Sequence, residues 1–209
     1  LAPELEFRVW SALDGDLPPD LTECDAWLIT GSRHDAYSDI PWILALRDWI
    51  RRAHDANVKL AGICFGHQVI AQALGGEVVK STKGWGLGVS VHPMQEAKPW
   101  MQPGLETIRI LASHQDQVEQ LPPGATLLAG NDFCPNFMFL QGDHIVAIQG
   151  HPEFSVEYNR ALIERRRDRL PDEHYQSSLS SLEGEVDSAT MMQWLLQFLG
   201  MLPVGPAVR

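Results

Sequence analysis

Cysteine and positive charge are both scarce in this chain of 209 residues. Its three cysteines, Cys24, Cys64 and Cys134, are too few, and odd in number, for a disulfide framework. They point instead to a reduced, cytoplasmic setting. Only 16 Lys and Arg stand against 27 Asp and Glu, for a net charge of −11. Nucleic-acid binding relies on clustered cations to neutralise phosphates, so that balance argues against a nucleic-acid partner. It argues equally against an anionic membrane surface. No apolar run reaches the ~20 residues that span a bilayer. The apolar tail from Met191 to Val204 is broken by Gln193, Gln197 and Gly200, and reads as an amphipathic packing helix with a Pro/Gly-containing end. No charged n-region leads into an apolar h-region, so no secretory signal is expected. An initial Met is also missing. The chain begins at Leu1, which predicts a removed start or a first segment outside this sequence. No Cys/His spacing suits a metal and no Gly-x-Gly-x-x-Gly follows a strand, so neither metal nor cofactor is expected.

What is present reads as one globular domain over residues 1–209, with 44% hydrophobic and 21% charged residues and no repeat or linker. Glu6 to Trp10 alternates polar and apolar, as a short strand would. Ala26 to Thr30 is a continuous apolar run, which predicts a strand buried on both faces. Pro41 opens a helix running to about Ala56. Lys59 to Ile63 is a second strand, and Phe65 to Leu74 a helix stopped by Gly75-Gly76. Strands are expected at Gly88–His92, Thr107–Ala112, Thr126–Ala129, Asn136–Leu140 and Ile145–Gln149, with helices at Ser155–Arg169 and Ala189–Leu199. Leu170 to Glu185 is polar and receives no assignment. Strands alternating with helices, followed by successive strands, predict a three-layer α/β fold. Its central sheet is largely parallel, with helices on both faces and an antiparallel addition.

The most informative segment is Lys59-Leu-Ala-Gly-Ile-Cys-Phe-Gly-His-Gln68. A strand runs into Gly62-Ile63-Cys64-Phe65-Gly66 and a helix begins at once, the form of a nucleophile elbow with Cys in place of Ser. Glycines two residues to either side of Cys64 let chain segments approach without Cβ clashes. The helix N-terminus sets partial positive charge beside the sulfur and favours the reactive thiolate. A buried structural cysteine in a Gly-rich turn gives the same local pattern, so the assignment depends on a partner base. Cys24 and Cys134 lack this setting and read as packing residues.

Of eight histidines, His151 in Gln149-Gly-His-Pro-Glu-Phe154 stands out. It follows an apolar strand, as Cys64 does, and the carboxyl ends of parallel strands share one edge. Pro152 favours an extended conformation at His151. Residues i and i+2 of an extended chain point the same way, so Glu153 can orient the imidazole. This gives Cys–His–Glu, a nucleophile, base and orienter.

Gly-Ile-Cys-Phe-Gly-His-Gln followed downstream by His-Pro-Glu resembles the class I (triad-type) glutamine amidotransferases, in particular the stand-alone branch similar to the glutaminase domain of GMP synthase. Ile29-Thr-Gly-Ser32 resembles that family's oxyanion loop, and Ser113-His-Gln-Asp-Gln-Val118 its Ser-His-x-x-x-Val segment. Ala73-Leu-Gly-Gly76 and Gly84-Trp-Gly-Leu-Gly88 also fit. The resemblance implies a flavodoxin-like fold, attack on glutamine by Cys64, proton transfer by His151 and orientation by Glu153. It implies an oxyanion hole from the backbone N–H groups of Gly31 and Phe65, and a glutamine site shaped by Gln68, Ser113, Gln115 and Asp116. It also implies a first strand and helix ahead of Leu1, and a separate synthase polypeptide to use the ammonia. The alternative function is a γ-glutamyl peptidase that cleaves γ-glutamyl amines or peptides; a non-catalytic regulatory domain would be expected to have lost the triad. His67 reads as structural, His114 as a loop histidine at the pocket or in solvent, and Trp85 as a pocket wall or a packing residue. Arg165, Arg166, Arg167 and Arg169 read as a solvated helix face.

Overall fold

The computed structural model describes residues 4–205; the start at Leu1 and residues 206–209 lie outside the described residues. In chain order the elements are β1 (Trp27–Ile29), α1 (Pro41–Asp55), β2 (Leu60–Ile63), α2 (Phe65–Ala73), β3 (Glu77–Lys80), β4 (Gly86–Pro93), β5 (Thr107–His114) and β6 (Asp116–Gln120). They continue with β7 (Ala125–Ala129), β8 (Met138–Gln141), β9 (Ile145–Ile148), α3 (Val156–Glu164), α4 (Asp172–Ser181) and α5 (Ser188–Phe198).

A five-stranded sheet in the order β1-β2-β9-β8-β7 forms the centre. β1, β2 and β9 run parallel, and β8 and β7 extend that parallel core as an antiparallel addition. The inner strands are buried on both faces, so successive residues feed opposite cores. Leu60, Ile145, Ala147 and Phe139 meet α1 and α2 on one side. Ala61, Ile63, Val146 and Ile148 meet Trp194, Leu195 and Phe198 of α5, and Ile108 and Ile110 of β5, on the other. Helices therefore cover both faces of an α/β sandwich. β4 and β5 form a separate antiparallel pair, which α3 and α4 cover. β3 and β6 form another.

Two expected strands differ. Glu6–Trp10 is not a strand: Phe7 and Val9 point into solvent at 80% and 89% exposure, and only Trp10 packs, 5.1 Å from Trp27. The alternation is real, but its apolar face has no sheet beneath it. β1 is not buried on both faces. As the sheet edge it leaves Leu28 46% exposed. The helix expected at Ser155–Arg169 ends at Glu164 and resumes as a 3-10 turn at Arg167–Arg169. Ser155 caps its start by accepting from Tyr158 N–H at 3.1 Å. The unassigned polar stretch contains α4, which turns few buried residues inward. β3 and β6 escape sequence assignment because short, half-exposed strands carry little periodicity.

Candidate active site

β2 ends at Ile63 and α2 begins at Phe65, so the whole reversal falls on Cys64. Its backbone adopts φ 52 and ψ −101, a positive-φ conformation that L-residues avoid. The strained turn is held from both sides. Cys64 N–H donates to Ile148 O at 2.9 Å, and Gln68 N–H donates to Cys64 O at 3.1 Å. The flanking glycines are steric necessities. A Cβ on Gly62 would lie 2.5 Å from Ile70 Cδ1 and 2.7 Å from the Gly66 carbonyl. A Cβ on Gly66 would overlap the Ile29 carbonyl.

His151 follows the end of β9, the strand paired with β2 in the register Ile63↔Ile148. Its backbone N–H is tied to Leu111 O at 2.8 Å. Its Nδ1 lies 2.7 Å from Glu153 Oε1, and the ring stacks on Phe154 with centroids 3.9 Å apart. Burial opposes the imidazolium, but the Cys64 side chain and then the Glu153 carboxylate outweigh it and raise the His151 pKa to about 9. Gly31, two residues beyond β1, completes the convergence. A Cβ there would lie 3.3 Å from His151 Cε1 and 3.9 Å from Cys64 Cβ. Phe65 N–H is the first of α2, where no preceding helical turn supplies a carbonyl. Gly31, Cys64, Phe65 and His151 thus gather at the carboxyl ends of three adjacent parallel strands.

Of the expected pocket residues, Gln68 and Asp116 meet. Gln68 is buried and donates through Nε2 to Asp116 O at 2.8 Å and to Gln149 Oε1 at 3.0 Å. Ser113 and His114 end β5, and Asp116 starts β6. Gln115 forms the corner, its carbonyl accepting from Ser81 N–H. Burial, then repulsion from Asp35, raises the Asp116 carboxyl above its ordinary value against an opposing Lys80. Tyr37 is raised by burial and then by Asp116 and Asp35. His114 is neither in a loop nor solvated. It is buried, its Nδ1 lies 3.2 Å from Asp116 O, and burial lowers its pKa to about 4. His67 is structural, as expected: fully buried, bonded to Asn136 O at 2.9 Å, and lowered to about 3 chiefly by burial. Cys134 is a buried packing residue whose thiol burial raises to about 12.

Trp85 packs with Phe154 and Leu87, and it also walls a cavity of about 270 Å³ between β4 and α4. Arg166 lies over its ring at 4.4 Å, so this one arginine leaves the otherwise solvated basic face. Sequence reading misses Gln149, Asp35 and Tyr37. Their contacts depend on loops and strand ends meeting in space, which spacing along the chain does not record.

Residues 20–167 match the model of the family described as glutamine amidotransferase class-I, and the chain belongs to that family. Among its relatives, it is 40% identical over 166 residues to gamma-glutamyl peptidase 4 of Arabidopsis thaliana, covering 76% of this chain and 65% of that protein. It is 34% identical over 168 residues to gamma-glutamyl peptidase 3 of the same plant, covering 77% and 68%. The chain thus spans about two thirds of the length of these relatives. In fold it is similar to a glutamine amidotransferase from Thermotoga maritima, with a TM-score of 0.72 at 22% identity over 89% of this chain and 83% of that one. A glutamine amidotransferase from Methylobacillus flagellatus gives 0.72 at 19%, over 97% and 87%.

Proposed function

We propose that this chain hydrolyses γ-glutamyl amides through a thioester on Cys64. The observation that carries the reading is the convergence of Cys64, on its strained turn, with a His151 ring held by Glu153. The Cys64 thiolate attacks the γ-carbonyl carbon and the carbonyl electrons move to oxygen. The backbone N–H groups of Gly31 and Phe65 receive that oxyanion; losing one such donor typically costs ~10²–10³ in rate. The tetrahedral intermediate collapses, the C–N bond breaks, and the imidazolium of His151 gives its proton to the leaving nitrogen. Water then hydrolyses the thioester, with His151 as base, releasing the γ-carboxylate and restoring the thiol. Glu153 keeps His151 oriented throughout.

The same steps serve glutamine and γ-glutamyl peptides, which differ only in the leaving group. We favour γ-glutamyl peptides, because the gamma-glutamyl peptidases of Arabidopsis thaliana are 34% and 40% identical to this chain. In the glutaminase reading the ammonia would pass to a synthase. We read residues 1–209 as a single catalytic domain. Release of glutamate and free amine from γ-glutamyl dipeptides, measured beside ammonia release from glutamine, tests the choice. Turnover of peptides well above glutamine supports it; turnover of glutamine alone returns the chain to the glutaminases. Release from neither overturns the reading.

A further inference from the structure

Two neighbouring arginines just beyond α3 lie over aromatic rings, and only one of them has a carboxylate. Arg167 covers the Tyr175 ring at 4.6 Å and pairs with Asp172. Arg166 covers the Trp85 ring at 4.4 Å and forms no ion pair among the described residues. It is half-buried, whereas Arg165, Arg167 and Arg169 are exposed. Burial opposes its charge, and Arg165 and Arg169 oppose it further, with the Tyr158 phenol on the favourable side. Its Nη1 donates to Leu162 O at 2.8 Å. Its other N–H groups meet no acceptor among the described residues, and none is sealed from solvent. A guanidinium carries five N–H donors in a planar fork that matches a carboxylate. Here Trp85 and the Leu162 carbonyl hold the fork in place, and the rest of it is left without an acceptor. In a chain of net charge −11, this cluster is a local reversal of sign.

The rings beside Arg166 lead to His151. Tyr158, in the first turn of α3, meets Phe154 edge-on with centroids 4.7 Å apart. Phe154 stacks on the His151 ring at 3.9 Å. Trp85 packs into the same apolar cluster as Phe154, and the next residue, Gly86, pairs with His114 at the end of β5. In the proposed mechanism His151 hands its proton to the leaving nitrogen, so the leaving group begins at this imidazole. Two ring-to-ring steps, 3.9 and 4.7 Å, separate it from Tyr158 beside Arg166. An extended dipeptide reaches roughly 7 Å. We propose that Arg166, held over Trp85, binds the C-terminal carboxylate of the peptide that leaves. On the γ-glutamyl reading above, on which this rests, the preferred substrates are γ-glutamyl peptides with a free C-terminus and a leaving group of about two residues. γ-Glutamyl amines lack that carboxylate and are the poorer ligands.

Binding and turnover are read separately. Protein carrying Cys64→Ala is titrated calorimetrically with γ-glutamylalanylglycine and with the same peptide amidated at its C-terminus. The acid is expected to bind about tenfold more tightly or better, the worth of a charge-assisted hydrogen bond. Adding Arg166→Met should remove most of that preference by weakening the acid alone. Arg166→Lys keeps the charge and loses the fork, so it should keep only part of the preference; it serves equally where the Met variant does not fold. Arg165→Met, at an exposed neighbour, should change the preference by less than about twofold. Equal affinity for acid and amide in the Cys64→Ala protein overturns the proposal, as does binding of neither or a preference that survives unchanged without Arg166. Losses shared equally by both ligands would mark a merely structural Arg166, and an equal loss in Arg165→Met would assign the effect to the cluster's general field; either overturns it. The γ-glutamyl reading fails on a different result, a wild-type protein that releases glutamate from neither peptide while the acid is still preferred in binding.

Discussion

Gly66 packs so closely against Ile29 that no side chain can be placed between them: a Cβ on Gly66 would overlap the Ile29 carbonyl. The first turn of α2 thereby rests directly on the edge strand. Gly31, two residues beyond Ile29, meets the site differently, with room for a Cβ only 3.3 Å from His151 Cε1.

These two glycines should separate stability from activity. Gly66→Ala forces backbone apart and should cost about 3 kcal/mol, a Tm loss of roughly 6–12 °C. Gly31→Ala needs only a small shift of the His151 ring. It should leave Tm within about 2 °C of wild type while lowering kcat by roughly 10-fold or more. Thermal unfolding measured beside steady-state kinetics checks both.

Cys64→Ala should abolish turnover without loss of fold, as measured by amine release and circular dichroism. Iodoacetamide should inactivate the protein by labelling Cys64 and leave Cys134 unmodified, because burial raises the Cys134 thiol to about 12. Peptide mapping after stoichiometric labelling reads this directly. Inactivation with an unlabelled Cys64 would refute the nucleophile assignment.

His151 sets the alkaline limit. In the proposed mechanism its imidazolium protonates the leaving nitrogen, so kcat/KM should fall as pH rises through about 9. The raised pKa also means that its charge stabilises the fold fully below pH 6.5 and that this contribution is lost as pH climbs through about 9. Glu153→Gln removes one of the two favourable partners. It should move the alkaline limb to lower pH and cut kcat/KM by roughly 10²-fold. A pH–rate profile of wild type and variant decides it.

The buried histidines act in the opposite direction. His67 and His92 are lowered to about 3 and His114 to about 4, in each case chiefly by burial. They remain neutral in the fold but take up protons when unfolded. Stability should therefore be full above pH 6.5 and fall as the pH drops toward 4. Each histidine contributes about 1.4 kcal/mol per pH unit over that range. Urea unfolding at about pH 7, 6 and 5 measures the slope, and His92→Phe should flatten it. His92 stacks on Phe137 and is not itself one of the proposed catalytic groups, so the unfolding comparison reads stability.

The elbow and the His-Pro-Glu segment are readable because each packs its chemistry into a few consecutive residues. Gly62, Cys64 and Gly66 state their own backbone requirement, and Pro152 states that of His151. The inner strands are readable from their continuous apolar runs. The polar support is not. Gln149 looks like any residue at a strand end until β9 is set against α2, and His114 looks like a loop residue until β4 and β5 pair. Glu6 to Trp10 fails for the converse reason. Its alternation describes a strand, but a strand also needs an edge to join, and local pattern carries no record of that edge.

The register Ile63↔Ile148 joins β2 to a strand that the chain reaches only after building the whole β3–β8 region. Cys64 and His151 lie just beyond those strand ends, so a slip of one residue would turn β9 inside out and carry the imidazole away with it. The separation of the two proposed reacting groups is thus a copy of a long-range hydrogen-bond ladder. In a refolding chain, the return of chemistry is a clock for the closure of that ladder: local helices can be complete and both motifs intact while the protein remains inert, until its distant halves have found their alignment.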